Sequence, residues 1–246
     1  MKKLFTVLLF SMMMTFAWSQ TVDEIIGKYF ENAGGMQKMK DMKTLKMKGT
    51  FPTPQGDFDF EMCQKAPDKM IMTLDIMGQK MIPQAYDGQT AWMLNPFTGD
   101  SKPQKMPAEQ AGSIVEEAEF EDPFIDYAKK GYEVTYEGTG DVDGVKCYIL
   151  KLTKNKGQSD AESVSSYYLD SDTYLPLLIK QKANAGAMGM VDVDAILSDY
   201  RDAGDGIMMP FSIEQKMGGQ TGMTIKFNTI EINQEIADDI FTYKGE

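Results

Sequence analysis

The sequence predicts a mainly β protein: an antiparallel meander of about ten to twelve strands with one N-terminal helix and one helical insertion. Three observations predict it. From residue 44 onward, short runs alternate apolar and polar side chains with a period of two. Clusters of Gly, Pro, Asp and Asn separate those runs at short intervals. Only two stretches switch to a period near 3.6 residues.

Met1–Ser19 stands apart from the rest. Lys2 and Lys3 precede an apolar run from Leu4 to Phe16, and Ala17-Trp18-Ser19 offers the small residues of a signal-peptidase site. The run is too short for a comfortable membrane span. The expectation is a signal peptide over 1–19 and a single exported, soluble domain over 20–246.

The domain opens with TVDEIIGKYFENAGG. Thr21 and Glu24 make a capping box. Val22, Ile25, Ile26, Tyr29 and Phe30 fall on one helical face, and Gly34-Gly35 stops the helix. Strands follow. In KTLKMKGTF, Leu45 and Met47 alternate with lysines. In GDFDFEMCQK, Phe58, Phe60 and Met62 alternate with acids. In DKMIMTLDIMGQ, Met70, Met72, Leu74 and Ile76 share a face. Runs at Met81–Gln84 and Thr90–Leu94 continue the meander; the second holds Trp92, between the turn signals YDG and NPFTGD.

From Met106 to Gly131 the alternation stops. Ala111, Ile114, Val115 and Ala118 form a helical stripe opposite Glu116, Glu117 and Glu119. Asp122-Pro123 then reads as the start of a second short helix presenting Phe124 and Tyr127. Strands resume at Tyr132–Glu137, Val145–Thr153, Ser163–Leu169, Leu175–Lys182, Val191–Tyr200, Ile207–Lys216 and Met223–Ile232.

The composition excludes several kinds of chemistry. There is no histidine, which removes His-based acid–base catalysis and Ser-His or Cys-His nucleophiles. No Gly-rich phosphate loop is present, and Arg201 is the one arginine. The net charge of −12 disfavours nucleic acid and tight docking on anionic lipid. The acids alternate with apolar residues, as solvated strand faces do. DYRDAGDG lacks calcium-loop spacing and reads as a turn. Cys63 and Cys147 each sit within a strand. Export permits a disulfide between them, and two separate buried thiols fit equally.

Methionine is the unusual quantity, with 21 in the chain. Met47, Met62, Met70 and Met72 fall on the apolar faces of successive strands. Adaptable methionine surfaces suit variable apolar ligands. A twisted sheet with one greasy face must be covered, and two small helical elements are modest cover. Either the sheet closes on itself or a hollow remains for something else.

The order of signal peptide, amphipathic helix, meander with YDG-x-x-x-W-x-x-NPFTG, helical insertion and second meander closes with DYRDAGDGIMMPFSIE and IEINQEIADDIF. It resembles the periplasmic lipoprotein carrier and receptor (LolA/LolB-like) family, in its outer-membrane lipoprotein-sorting branch. The resemblance implies an unclosed antiparallel β-barrel whose helices form a lid over an apolar cavity. It also implies a periplasmic, non-enzymatic carrier of lipidated proteins or other lipids. Such a carrier shelters acyl chains for transfer toward an outer-membrane acceptor protein, without cofactor, metal or stable membrane insertion. On the alternation phase, the expected lining is Phe58, Phe60, Met62, Met70, Met72, Leu74 and Trp92, with Ile114, Val115 and Phe124 from the lid. The alternatives are a secreted β-domain acting as a protein-binding or scaffold module, and a carboxylate-based hydrolase.

Overall fold

The computed structural model describes residues 21–53, 56–98, 102–157, 162–184 and 189–245. The leader expected over Met1–Ser19 lies outside these residues.

Helix α1 spans Val22–Asn32, and its capping box forms: the Glu24 N–H donates to Thr21 Oγ1 at 3.2 Å, and the Thr21 N–H donates to Glu24 Oε2 at 2.8 Å. Ile25, Ile26, Tyr29 and Phe30 are its buried face. A second helix, α2 (Met36–Asp41), was not expected; six residues are too few to display a period. Among the described residues the strands then number thirteen rather than ten to twelve. They are β1 (Thr44–Thr53), β2 (Gly56–Lys65), β3 (Lys69–Ile76), β4 (Gln79–Tyr86), β5 (Ala91–Leu94), β6 (Gln104–Lys105), β7 (Glu133–Val142), β8 (Val145–Lys154), β9 (Ser163–Asp170), β10 (Pro176–Asn184), β11 (Met190–Asp202), β12 (Met208–Met217) and β13 (Gln220–Ile232). Helix α3 (Ala108–Glu117) lies between β6 and β7.

All thirteen strands join one antiparallel sheet in the order β6-β5-β4-β3-β2-β1-β13-β12-β11-β10-β9-β8-β7. Every neighbour is a hairpin partner except the pair β1–β13, which brings the two ends of the meander together at mid-sheet. The outermost strands, β6 and β7, do not pair, so the barrel is unclosed. The chain joining those edges, residues 106–132, carries α3. The helical insertion is therefore the piece that spans the seam.

The second expected helix is instead a run of turns. Asp126 has φ 49°, a left-handed conformation that ends helical growth after one turn. The segment is fastened to the helices by side chains. The Tyr29 hydroxyl donates to Asp122 at 2.6 Å, the Tyr127 hydroxyl donates to Asp23 at 2.9 Å, and Lys40 pairs with Asp126 at 2.7 Å.

Both cysteines are free, buried thiols. Cys63 lies on the face of β2 opposite Met62, and burial pushes its thiol up to about 11.

Candidate functional site

The register decides which residues share a face. Met47 pairs with Met62 and Met62 with Met72, so three methionines form one cross-strand row. The row above it contains Gly49, Phe60 and Leu74. A Cβ on Gly49 would meet the Phe60 ring at 2.8 Å and the Lys226 carbonyl at 2.1 Å, so only glycine lets that ring lie across β1. Phe60 stacks on Phe51 at 4.5 Å and meets Phe227 edge-on at 5.7 Å. Phe211, Ile225, Phe227 and Ile230 extend the same apolar surface over β12 and β13. Ile213 pairs with Leu197; two residues along the same face of β11, Ala195 pairs with Ile179, Ile179 with Tyr167 and Tyr167 with Leu150, which carries this inner face round to β8.

The two halves of the inner face are covered differently. Over β8 and β9, α1 presses Ile25, Ile26, Tyr29 and Phe30 against Leu150, Leu152 and Leu169, with Phe124 and Ile125 completing a packed cluster. Over β1–β5, β12 and β13 the cover is α3, which presents Ile114 and Ala118. Phe51, Leu74, Tyr86, Met106, Met209 and Ile213 of that half remain only part-buried. Helix α3 touches β4 and β5 on one side and β10 on the other, so it lies across the open mouth of the curl.

The end of α3 is tied to both sides of the seam. Gln84 Nε2 donates to both Glu117 carboxylate oxygens at 3.1 Å, and Gln64 donates to the Glu117 carbonyl at 3.2 Å. Across the seam, Glu119 accepts from the Tyr132 hydroxyl at 3.0 Å and pairs with Lys154. Glu117 keeps contact with solvent, yet the protein crowded round it desolvates its carboxyl and raises it above the ordinary glutamate range; the Gln84 bonds oppose that rise. Asp122 is raised by burial, and its carboxylate is satisfied by Tyr29 and by the Phe124 N–H at 2.9 Å. Burial beside these acids pushes the Tyr132 hydroxyl up to about 12 and those of Tyr167 and Tyr200 further. These groups fasten the segment after α3 to the body of the protein.

Of the residues expected to line a cavity, Phe60, Met62, Met70, Met72, Leu74 and Ile114 share the inner cluster. Phe58 sits on the same face nearer the hairpin tips, part-exposed. Three placements need correction. Val115 is exposed, because Ile114 and Ala118 take the buried side of α3. Phe124 packs edge-on against Tyr29 and Tyr167 in the α1 cluster. Trp92 lies on the opposite face of the sheet, with Cys63, Ile71, Ile82, Ala85, Ile236 and Phe241. Its indole N–H donates to the Phe241 carbonyl at 2.8 Å. The YDG turn serves the same contact: Asp87 accepts from the Gln89 and Thr90 N–H groups and from the Tyr243 N–H at 3.2 Å. So the C-terminal segment covers Trp92. The β12–β13 contribution was not among the expected lining, although Ile225 and Phe227 carry the alternation that marks it.

The outer face is different in character. A depression of about 380 Å³ there is lined by Lys48, Asp59, Glu61, Thr73, Asp75 and Asn228, together with Gly49 and Phe60. Lys46 and Lys48 approach Glu61 at 3.2 and 3.8 Å. Arg201, at the edge of the inner face, bonds to Asp199 through Nε at 2.8 Å and lies 4.8 Å from the Phe211 ring centroid. Among the described residues no helix is long and apolar enough to cross a membrane.

A family model described as "Uncharacterized protein"-like matches residues 71–244. No curated protein matches the chain. Solved structures do. A DUF1329 family protein from Desulfovibrio piger aligns with a TM-score of 0.60 at 15% identity, over 89% of this chain and 97% of that one. A LolA superfamily protein from Nitrosomonas europaea gives 0.58 at 14% identity, over 91% and 98%. A domain assigned as an outer membrane lipoprotein-sorting protein, from Vibrio parahaemolyticus, gives 0.54 at 11%, over 89% and 95%. At these identities the likeness is one of fold: this chain and the LolA superfamily protein share the unclosed-barrel architecture.

Proposed function

The chain belongs to the family whose "Uncharacterized protein"-like model it matches, and it has the LolA-superfamily fold; on that premise we propose that it is a binding and carrier protein for lipid acyl chains, free or on lipidated proteins. One observation carries the proposal. The methionine rows of the inner face of β1–β5, β12 and β13 are buried beneath the short helix α3, while Phe51, Leu74, Tyr86, Met209 and Ile213 around them on the same apolar face stay only part-buried. Each methylene moved from water to such a surface contributes about 0.8 kcal/mol. Methionines adapt their shape to chains of differing length and branching.

Met1–Ser19 acts as an export signal and residues 20–246 as one domain working in the periplasm. The protein is not an enzyme. Without histidine, a catalytic role would fall to carboxylates, and the two acids raised by their surroundings, Glu117 and Asp122, already accept hydrogen bonds from Gln84 and from Tyr29. Handing cargo on requires an acceptor that binds the acyl chain in a state of lower free energy.

The test is lipid extraction from the natively expressed protein followed by mass spectrometry, alongside displacement of a fluorescent fatty acid. Co-purifying lipid and saturable binding are expected. Leu74→Asp should weaken binding at least ten-fold, and Val115→Asp, on the exposed side of α3, should leave it unchanged. Absence of both lipid and fatty-acid binding overturns the proposal.

A further inference from the structure

The two edges of the curl end differently. Strand β6 is two residues long and gives way to α3, so it offers a second chain little to pair with. Strand β7 runs ten residues, Glu133–Val142, and pairs with β8 alone. In an antiparallel ladder, alternate residues of such a strand turn their N–H and C=O groups away from the one neighbour. Among the described residues, no backbone hydrogen bond made outside the helices and strands involves residues 133–142. The seam segment fastens its acids to Tyr29, Tyr132 and Lys154 and leaves this row alone. None of the ten residues of β7 is buried, against four of ten in β8. The edge is an open row of donors and acceptors.

Its side chains select what it pairs with. Val134 and Tyr136 face inward, opposite Leu152 and Leu150, and stay part-buried beside the α1 cluster because no strand lies beyond them. Glu133, Thr135 and Glu137 lie on the outer face, where the Thr135 hydroxyl donates to Glu137 at 2.6 Å. The strand carries three acids, Glu133, Glu137 and Asp141, and no base. Lys156 pairs with Glu133, and no ion pair among the described residues involves Glu137 or Asp141. Sheet edges are commonly guarded by lysine, proline or shortness, and β7 has none of these. Its one irregularity is a bulge between Tyr136 and Gly138, where Gly138 has φ 102°. Two copies of β7 laid edge to edge would gather acids from both chains and no base, which like-charge repulsion opposes. A basic strand meets attraction in their place.

We propose that the β7 edge takes up an extended segment of a partner protein as an added strand, and that this segment alternates basic with apolar residues. Its lysines or arginines lie beside Glu133 and Glu137 on the outer face. Its apolar side chains lie beside Val134 and Tyr136 on the inner face. Main-chain hydrogen bonds hold the segment, and the alternation sets its register. The inference goes beyond acyl binding and does not depend on it, since the edge lies outside the methionine rows.

The probe is a short fluorescein-labelled peptide that alternates lysine and valine, titrated into the full chain and followed by anisotropy. Saturable binding that weakens as salt rises is expected. The double variant Glu133→Lys/Glu137→Lys should bind about ten-fold more weakly. Glu235→Lys/Asp239→Lys, the same change of charge on the C-terminal segment, should bind as the parent does. Unchanged circular dichroism establishes that the variants fold. Two N-methylated peptides separate a backbone ladder from a mere charge contact, one methylated on the valine and one on the lysine main-chain nitrogens. One should lose binding and the other keep it, because only alternate N–H groups face β7. Hydrogen exchange of residues 133–142 should slow when the peptide is added. Absence of saturable binding, equal binding of both methylated peptides, or an equal loss in the C-terminal variant overturns the proposal. So does a dimer of the parent in sedimentation that Glu137→Lys disrupts, which would make a second copy the occupant. Fatty-acid affinity of the Glu133→Lys/Glu137→Lys variant should match the parent, so the carrier function is judged separately.

Discussion

Trp92 is the one tryptophan outside the leader, and its replacement by phenylalanine tests the assignment of faces. Two losses follow. The Phe241 carbonyl, buried under the C-terminal segment, loses its 2.8 Å donor. An orphaned buried acceptor costs about 1–3 kcal/mol. The smaller ring also leaves about 40 Å³ unfilled, worth about 1 kcal/mol. The sum is about 2–4 kcal/mol, or a fall in Tm of roughly 5–15 °C for a domain of this size. Urea and thermal unfolding followed by circular dichroism measure it. Fatty-acid affinity should be unchanged, because Trp92 and the methionine rows lie on opposite faces of the sheet. For the same reason, Trp92 emission in the parent should be blue-shifted and unmoved by ligand. A loss below about 0.5 kcal/mol would refute the buried hydrogen bond. A fall in acyl affinity matching that of Leu74→Asp would refute the assignment of faces.

Two further predictions concern titratable groups. Burial raises Asp122 above its ordinary 3.8, so the folded state holds that proton more tightly than the unfolded chain. The wild type should therefore lose stability relative to Asp122→Asn as pH rises from about 4 through the raised value. Denaturant titrations at several pH values measure that gap, and a gap independent of pH would contradict the assignment. The thiols of Cys63 and Cys147, both raised by burial, should resist alkylation in the native protein. Both should react fully after unfolding, as counted by mass spectrometry; rapid native labelling of Cys63 would contradict its place beneath the C-terminal segment.

The strands and α1 were legible in the sequence because each displays its own period. Thr21 with Glu24, and the stripe from Val22 to Phe30, specify α1 completely. Alternation placed Phe60, Met62, Met70 and Met72 together correctly. What alternation does not say is which face a lone strand turns inward when both faces are covered. Ala91 and Trp92 are adjacent, one in the inner cluster and one in the outer. The choice between them depends on Ile236 and Phe241, more than 140 positions away in the chain. The same non-locality hid the site of Phe124. Asp122-Pro123 reads locally as a helix start, but the fastening of Asp122 to Tyr29 and the left-handed Asp126 hold the segment in turns. The two-residue β6 and six-residue α2 were too short to leave a periodic signal.

Because β6 and β7 are joined across the seam by side chains of residues 117–119 and not by a backbone ladder, the girth of the curl is not fixed by strand pairing. Loosening such a clasp gives up a few side-chain bonds, at about 1 kcal/mol each, and uncovers Ile114 and Ala118 until a guest covers them again, while all twelve strand pairings survive. A bulky, multi-tailed guest and a slender one could then be accommodated by the same sheet, with the clasp setting how far it spreads.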